Sequence, residues 1–235
     1  MKDFIIEAWG DLACFTRPEA KVERFSYPVM TPSAARGLLD AIYVKPEEFC
    51  WRIERIEVLK PIRFIALRRN EVKDKISQAA VNKAMKGGTE APVIIADATK
   101  DLVGSDQQGR TQRQTMALKD VRYRIYARIQ PRKGFEVKLK GIMEQAQRRI
   151  ESGKCYYQPY FGCREFAAYF EPSSMQHQPI KENLEIGWML YDVFDLDDMQ
   201  KDYAEPFISL FKAELKDGVL EVPDWASSQV IKPRR

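Results

Sequence analysis

Histidine is nearly absent: His177 is the single imidazole in 235 residues. One histidine among scattered cysteines is a poor basis for a zinc site, and it weakens any His-centred triad. The four cysteines, Cys14, Cys50, Cys155 and Cys163, are widely spread and form no C-x-x-C pair. They read as thiols in a reducing compartment, not as a disulfide framework. No apolar run is long enough to span a bilayer, so no membrane association is expected. The N-terminus meets Glu7 before any apolar h-region forms, so no signal peptide is expected and the cytoplasm is the default location. Neither G-x-x-x-x-G-K-[ST] nor G-x-G-x-x-G occurs, which disfavours nucleotide-binding enzymes of those classes. Asp192, Asp195, Asp197 and Asp198 fit no calcium-loop spacing and read as an exposed acidic turn. No metal and no cofactor are expected. His177 sits in a polar loop, Ser173 to Pro179, and reads as a surface residue, not as a catalyst. There is no internal repeat.

What is present is a chain long enough for one ordinary domain with an extension, or for two small ones, with 45% apolar and 31% charged residues. Its charge is uneven. Asp106 to Ile150 holds twelve Lys/Arg against four Asp/Glu, a net of +8, whereas Glu171 to Trp225 holds four against thirteen, a net of −9. Such asymmetry suggests a polyanion-binding half and a half facing something else; two solvated faces that neutralise each other are the alternative.

Asp3 to Trp9 reads as a first strand, and a loop follows. Thr31-Pro32 is a helix start, an N-cap followed by proline at the first helical position. Ala35, Leu38, Leu39 and Ile42 form the buried stripe of that helix, Arg36, Asp40 and Tyr43 lie on its other side, and Lys45-Pro46 ends it. Trp51 to Leu67 reads as one long bent strand, or two short ones, interrupted at Lys60-Pro61. Asn70 to Thr115 reads as a long insertion in a hairpin, with a helix between Lys73 and Lys86 ended by Gly87-Gly88. Its Gln-rich part, Ser105 to Thr115, reads as a mobile loop.

Val121 to Gln130 has the clearest alternation in the chain. Val121, Tyr123, Ile125, Ala127 and Ile129 face one side; Arg122, Arg124, Tyr126, Arg128 and Gln130 face the other. A second helix buries Leu139, Ile142, Met143, Ala146 and Ile150 and stops at Gly153. Cys163 to Phe170 reads as another strand. The order βαββαβ is that of a ferredoxin-like, RNA-recognition-type α+β domain, assigned to residues 1–172 with the hairpin insertion at about 70–114. Leu184 to Phe194 and Phe207 to Val222, with the turn signal Asp217-Gly218, make 173–235 a small C-terminal antiparallel β extension.

The row Arg122, Arg124, Tyr126, Arg128 is the best functional signal. Same-face strand residues recur at about 6.6 Å, close to the phosphate repeat of an extended nucleic-acid strand. Arginine grips phosphate bidentately and tyrosine stacks on a base. The alternative is a solvent-facing strand whose arginines pair with acids. Tyr43 follows Arg36 by seven residues, and a tyrosine near cations can act on a ribose 2′-hydroxyl as a general acid or base. Against that stands a tyrosine that only packs at a helix end. Lys138 and Lys140 flank the start of the second helix, where a lysine can stabilise a pentacoordinate phosphate, or merely be solvated. Arg148 and Arg149, late in the same helix, are placed with the RNA-binding set, as are Lys138 and, from the first helix, Arg36.

Residues 15–46, FTRPEAKVERFSYPVMTPSAARGLLDAIYVKP, resemble the N-terminal signature of the Cas-five family of CRISPR-associated proteins, subtype I-C. Residues 147–166, QRRIESGKCYYQPYFGCREF, resemble the segment before that family's fourth strand. FIALRRNEV (64–72) and QRQTMALKDVRYRI (112–125) also match its pattern. The resemblance implies a ferredoxin-like domain with a β-sheet extension. It implies metal-independent cleavage of the CRISPR repeat in precursor RNA, giving a 2′,3′-cyclic phosphate and a 5′-hydroxyl. It also implies retention on the 5′ handle of the guide within the Cascade complex, beside its backbone and large subunits. A non-catalytic subunit capping that handle is the alternative, and whether duplex DNA also binds is left open. The family's catalytic tyrosine, in an I-Y-x-K-P context, falls on Tyr43. Its Lys-His pair falls on Lys138-Leu139-Lys140-Gly141-Ile142, where Lys140 is the best match and the histidine is absent.

Overall fold

The computed structural model describes residues 4–20, 23–72, 75–88, 110–198 and 206–233. Met1–Ile65 together with Met116–Arg235 forms one compact unit and Ala66–Thr115 another. The strands are β1 (Phe4–Ala13), β2 (Arg24–Phe25), β3 (Phe49–Val58), β4 (Phe64–Val72), β5 (Arg110–Pro131), β6 (Tyr169–Pro172), β7 (Leu184–Asp192), β8 (Ser209–Lys216) and β9 (Val219–Glu221). The helices are α1 (Pro32–Ile42), α2 (Gln78–Met85) and α3 (Leu139–Glu151). The main sheet runs β6-β1-β5-β3-β9-β8-β7, with β2 and β4 each also pairing β5. The pairings of β5 with β1 and β3, of β6 with β1, and of β9 with β3 are antiparallel. The fold is therefore mixed α and β, built on one large antiparallel sheet.

Local chemistry explains the elements. The Thr31 side chain accepts from Ala34 N at 3.2 Å, and Pro32 needs no donor at the first helical position. α1 ends at Ile42, before the expected Lys45-Pro46 stop, because Tyr43 is already extended at φ −153°. α3 ends in a Schellman motif: Gly153, at φ 65°, donates to Ile150 O and Lys154 N to Arg149 O. Asp217 and Gly218 both have positive φ, 46° and 74°, as a two-residue type I′ hairpin requires between Lys216 and its partner Val219. At Gly218 a Cβ would also lie 2.2 Å from the Ile180 carbonyl oxygen.

One pair of alternatives is decided and two expectations shift. Trp51 to Leu67 is two strands, broken where Pro61 removes a ladder donor. β5 begins at Arg110, so 110–115 is strand; its pairing with β4 supplies the ladder, and residues 105–109 lie outside those described. Residues 163–168 are not a strand: Phe166 N bonds Cys163 O, Phe161 N bonds Phe166 O and Ala168 N bonds Pro159 O, a compact turn that consumes the backbone donors. Only Tyr169–Pro172 pairs with β1.

α1 and α3 pack on the sheet face that carries Ile6, Ile56 and Ile125, and together they form the core with Leu38, Leu39, Ile142, Ala146 and Ile150. The opposite face is also covered. Residues 173–180 cross it, bonded at Ser173 N to Ile5 O and at Ile180 N to Val58 O. Register sets what lies beneath. Glu7 and Glu57 both stand opposite Arg124 on the flanking strands. Arg124 is 2% exposed and Glu7 fully buried. Arg124 donates to Glu7 at 3.0 Å, to Glu57 at 2.6 Å, to Ser173 Oγ at 2.9 Å and to the His177 carbonyl at 2.6 Å. Burial opposes ionisation of Glu7, but hydrogen bonds from Arg122, Arg124 and Ser173 outweigh it and hold the carboxyl below its usual range.

Glu7→Gln removes the charge shared by two arginines and should cost about 3–5 kcal/mol, read from denaturant midpoints. Because the folded-state value is depressed, the contribution is present above the unfolded value of 4.5 and is lost as pH falls through the folded one. The wild type should therefore lose part of its advantage over Glu7→Gln in acid; an advantage that grows in acid would contradict this sign.

Candidate active site

α1 delivers Tyr43 to its own C-terminal end, where the carbonyls of the last turn have no helical partners. Arg149, from the last turn of α3, donates to Ile42 O at 3.2 Å, a cation at the negative end of the helix. Its guanidinium also lies 5.6 Å from the Tyr43 ring centre. Phe49 holds the other side of that ring at 5.3 Å, and Trp51 Nε1 donates to the Tyr43 carbonyl at 2.9 Å. The ring is thus fixed, with Tyr43 only 7% exposed.

It borders an open cleft of about 670 Å³ lined also by Lys45, Glu48, Val137, Lys138, Gly141, Ile142, Gln145 and Arg149. Lys45 Nζ lies 3.1 Å from Glu48 Oε1. That hydrogen bond raises the Lys45 ammonium above its usual value, with the Tyr43 hydroxyl adding in the same direction. Arg149 Nε is buried without a hydrogen-bond partner among the described residues. A phenol bordering a cleft lined by two lysines and an arginine is suited to a phosphate anion.

The structure brings Tyr43 together with Lys138 and Arg149, but not with Lys140. Lys140 lines a separate apolar groove with Phe4, Leu139, Met143 and Arg148. The reason is helical geometry: at about 100° per residue, positions two apart project to opposite sides. Arg148 is exposed on that second side and bonded to Gln145.

The arginine row on β5 does not form an open phosphate-binding strip. Arg122 is paired with Glu7 and Glu171 and sits 4.6 Å over the Trp9 ring. Arg124 is enclosed as described. Tyr126 is buried, with Arg55 3.9 Å over its ring. Arg128 pairs with Glu54 at 3.1 Å and Asp224 at 2.8 Å. The arginines pair with acids, and residues 173–180 cover the centre of the row. Arg36 is likewise enclosed: it donates to Asp192 at 2.6 and 3.0 Å and to Asp40, under the Phe194 ring. It lies on the helix that Tyr43 caps but does not line the Tyr43 cleft. His177 is partly exposed, its Nδ1 2.8 Å from Glu7. Sequence reasoning gives Lys45 no role, although it stands two residues after Tyr43. Among the described residues no three His, Cys, Asp or Glu side chains come together as metal ligands, and no helix is long and apolar enough to cross a membrane.

The fold is shared with solved structures. One, reported as the crystal structure of a CRISPR-associated protein, superposes with a TM-score of 0.62 at 18% identity, over 98% of this chain and 96% of that one. A functionally uncharacterized protein, SMU1763c from Streptococcus mutans, gives 0.60 at 17% identity over 98% and 97%. Sequence narrows this class. The chain belongs to the Cas5 family of CRISPR-associated proteins, whose Cas5d model, "CRISPR-associated protein (Cas_Cas5)", matches residues 4–223. Two relatives are named CRISPR pre-crRNA endoribonuclease Cas5d. That of Mannheimia succiniciproducens is 42% identical, covering 96% of each chain. That of Thermus thermophilus is 38% identical, over 93% of this chain and 90% of its own.

The buried cluster beside the cleft has a pH signature. Burial pushes Asp40 up to about 6; Arg36 opposes the shift and Asp192 adds to it. A raised carboxyl favours the folded state when protonated, so its contribution is lost as pH rises from the ordinary 3.8 through about 6. Asp40→Asn should remove this loss: its melting temperature relative to wild type should rise across that window. A constant difference would contradict the assignment.

Proposed function

We propose that this chain is an endoribonuclease that cuts the CRISPR repeat in precursor RNA without a metal, and that it then stays on the 5′ handle of the guide as a Cascade subunit. The observation that carries this is the Tyr43 cleft, with a fixed phenol beside Lys45, Lys138 and Arg149; the names of the two relatives support it. The element order and the β6-β1-β5-β3 part of the sheet support reading 1–172 as a ferredoxin-like domain with its insertion near 70–114, and 173–235 as the β extension.

In this reading the ribose 2′-hydroxyl attacks the adjacent phosphorus. The bond from phosphorus to the 5′-oxygen breaks, the 2′-proton leaves and the 5′-oxygen gains one, giving a 2′,3′-cyclic phosphate and a 5′-hydroxyl. The RNA supplies its own nucleophile and so its own proximity. Tyr43 orients or relays the 2′-proton. Lys138 and Arg149 face the phosphate and stabilise the charge of the pentacoordinate state. Lys138 takes the lysine role that the resemblance places best on Lys140.

Cleavage of repeat RNA should survive EDTA, and a 2′-deoxy nucleotide 5′ of the scissile phosphate should block it. Tyr43→Phe should slow single-turnover cutting by about 10²–10⁴-fold with little change in affinity. Lys138→Ala should slow it far more than Lys140→Ala. Cutting abolished by chelator and restored by magnesium, or a larger loss at Lys140, would overturn the assignment. Binding to the handle with no cutting under any condition would leave a non-catalytic capping subunit.

A further inference from the structure

The segment that follows α3 has no part in the cleft just described, yet it is built onto the same helix end. Residues 151–158 are exposed throughout. Tyr156 is 75% exposed and Tyr157 44%. Exposed tyrosines on a surface loop are ordinary when the loop is loose. This loop is anchored at both ends of its turn. Lys154 N closes the Schellman motif on Arg149 O at 2.9 Å. Tyr156 N and Tyr157 N both donate to Ala41 O, at 2.7 and 3.3 Å. The backbone that carries Tyr156 therefore hangs from the carbonyl two residues before Tyr43, and Arg149 touches both Ile42 and the Tyr43 ring.

The Tyr156 ring meets Tyr157 edge-on, with centroids 6.0 Å apart and planes at 74°. An edge-to-face contact with one neighbour occupies at most one face of the Tyr156 ring, and the residue is largely open to solvent. It is flanked by Cys155 and Tyr157, both exposed, and beyond them Glu151, Ser152, Lys154 and Gln158 are polar and exposed, so the apolar surface is confined to that short run. A protein interface would put an apolar patch around such an anchor. An exposed aromatic ring on an anchored backbone, with Lys154 two residues before it, is what an unpaired nucleobase needs, since every base stacks and a cation can hold its phosphate.

We propose that Tyr156 is a base-stacking subsite: it holds an unpaired nucleobase flanking the scissile phosphate, while Lys154 and Arg149 face the backbone of the same strand. The subsite rests on the reading of the Tyr43 cleft as an RNA-cutting site, and it adds a positioning residue that fixes the register of the strand.

The test uses the full chain and a repeat RNA with a 2′-deoxy nucleotide at the scissile position, so that affinity is measured without cutting. Tyr156→Ala should weaken binding roughly 5- to 100-fold, and Tyr156→Trp should bind like wild type. Abasic nucleotides are then placed one at a time on each side of the scissile phosphate. At one position the missing base should cost the wild type a similar factor and cost Tyr156→Ala almost nothing. Equal penalties in both proteins at every position would overturn the proposal. So would unchanged RNA affinity of Tyr156→Ala, including the case in which that variant fails only to assemble with other protein subunits. If the stacking signature appears while Tyr43→Phe cuts at the wild-type rate, the catalytic assignment fails and the base subsite stands.

Discussion

Arg124 between Glu7 and Glu57 is the contact around which the sheet is organised. A guanidinium at 2% exposure has lost its water on the central strand β5, and the carboxylates opposite it on β1 and β3 replace that water. Such a group stabilises little by itself, because desolvation consumes most of the Coulomb gain, but it penalises any arrangement that leaves it unpaired. Slipping either flanking strand by one residue would turn Glu7 or Glu57 to the other face. The same guanidinium reaches Ser173 Oγ and the His177 carbonyl, so it also fixes the crossing segment. Strand register and the covering of the second face are therefore set together.

That covering decides where nucleic acid can be handled. Sheets that read RNA do so with an open face bearing aromatic and basic side chains. Here the corresponding face carries such side chains, but Tyr126 lies under Arg55 and the arginines are held by acids. Exposed cations lie elsewhere, Lys45 and Lys138 in the Tyr43 cleft and Arg148 on the other side of α3. The negative half-dipole of α1 is met by Arg149, while Lys45 is exposed and bonded to Glu48 beside the cleft.

The elements are legible where their signals are local. Thr31-Pro32, Gly153 and Asp217-Gly218 act within a turn, and each does in the structure what its chemistry dictates. The alternation of β5 is legible too, but it reports only which residues share a face. What covers that face comes from Glu7, 117 residues from Arg124, and from Glu57, 67 residues away; no local pattern carries that information. Arg36 escapes a local reading for the same reason, since Asp192 lies 156 residues off. Cys163 to Phe170 reads as a strand because its apolar residues are buried, and burial in a compact turn is indistinguishable from burial in a sheet by composition. Of the cleft, Tyr43 is visible through the I-Y-x-K-P context. The choice between Lys138 and Lys140 is not, because it depends on where the first turn of α3 begins after the 3-10 turn Glu136–Lys138.

The missing imidazole fits this arrangement better than it first suggests. In transfer to a neighbouring 2′-hydroxyl, proximity is already supplied by the RNA, and in well-oriented intramolecular reactions that lowers the barrier by about 7–11 kcal/mol. What remains for the protein is to orient one proton and to meet the growing negative charge on phosphorus. An imidazole contributes mainly to the first. If Tyr43 and Lys138 act as proposed, the cations that line the open cleft contribute mainly to the second. Arginine and lysine stay charged well above neutral pH, so charge stabilisation of this kind does not switch with pH as an imidazole does. A cleft of this composition gives up the proton-transfer range of histidine and keeps a constant positive field around a fixed phenol.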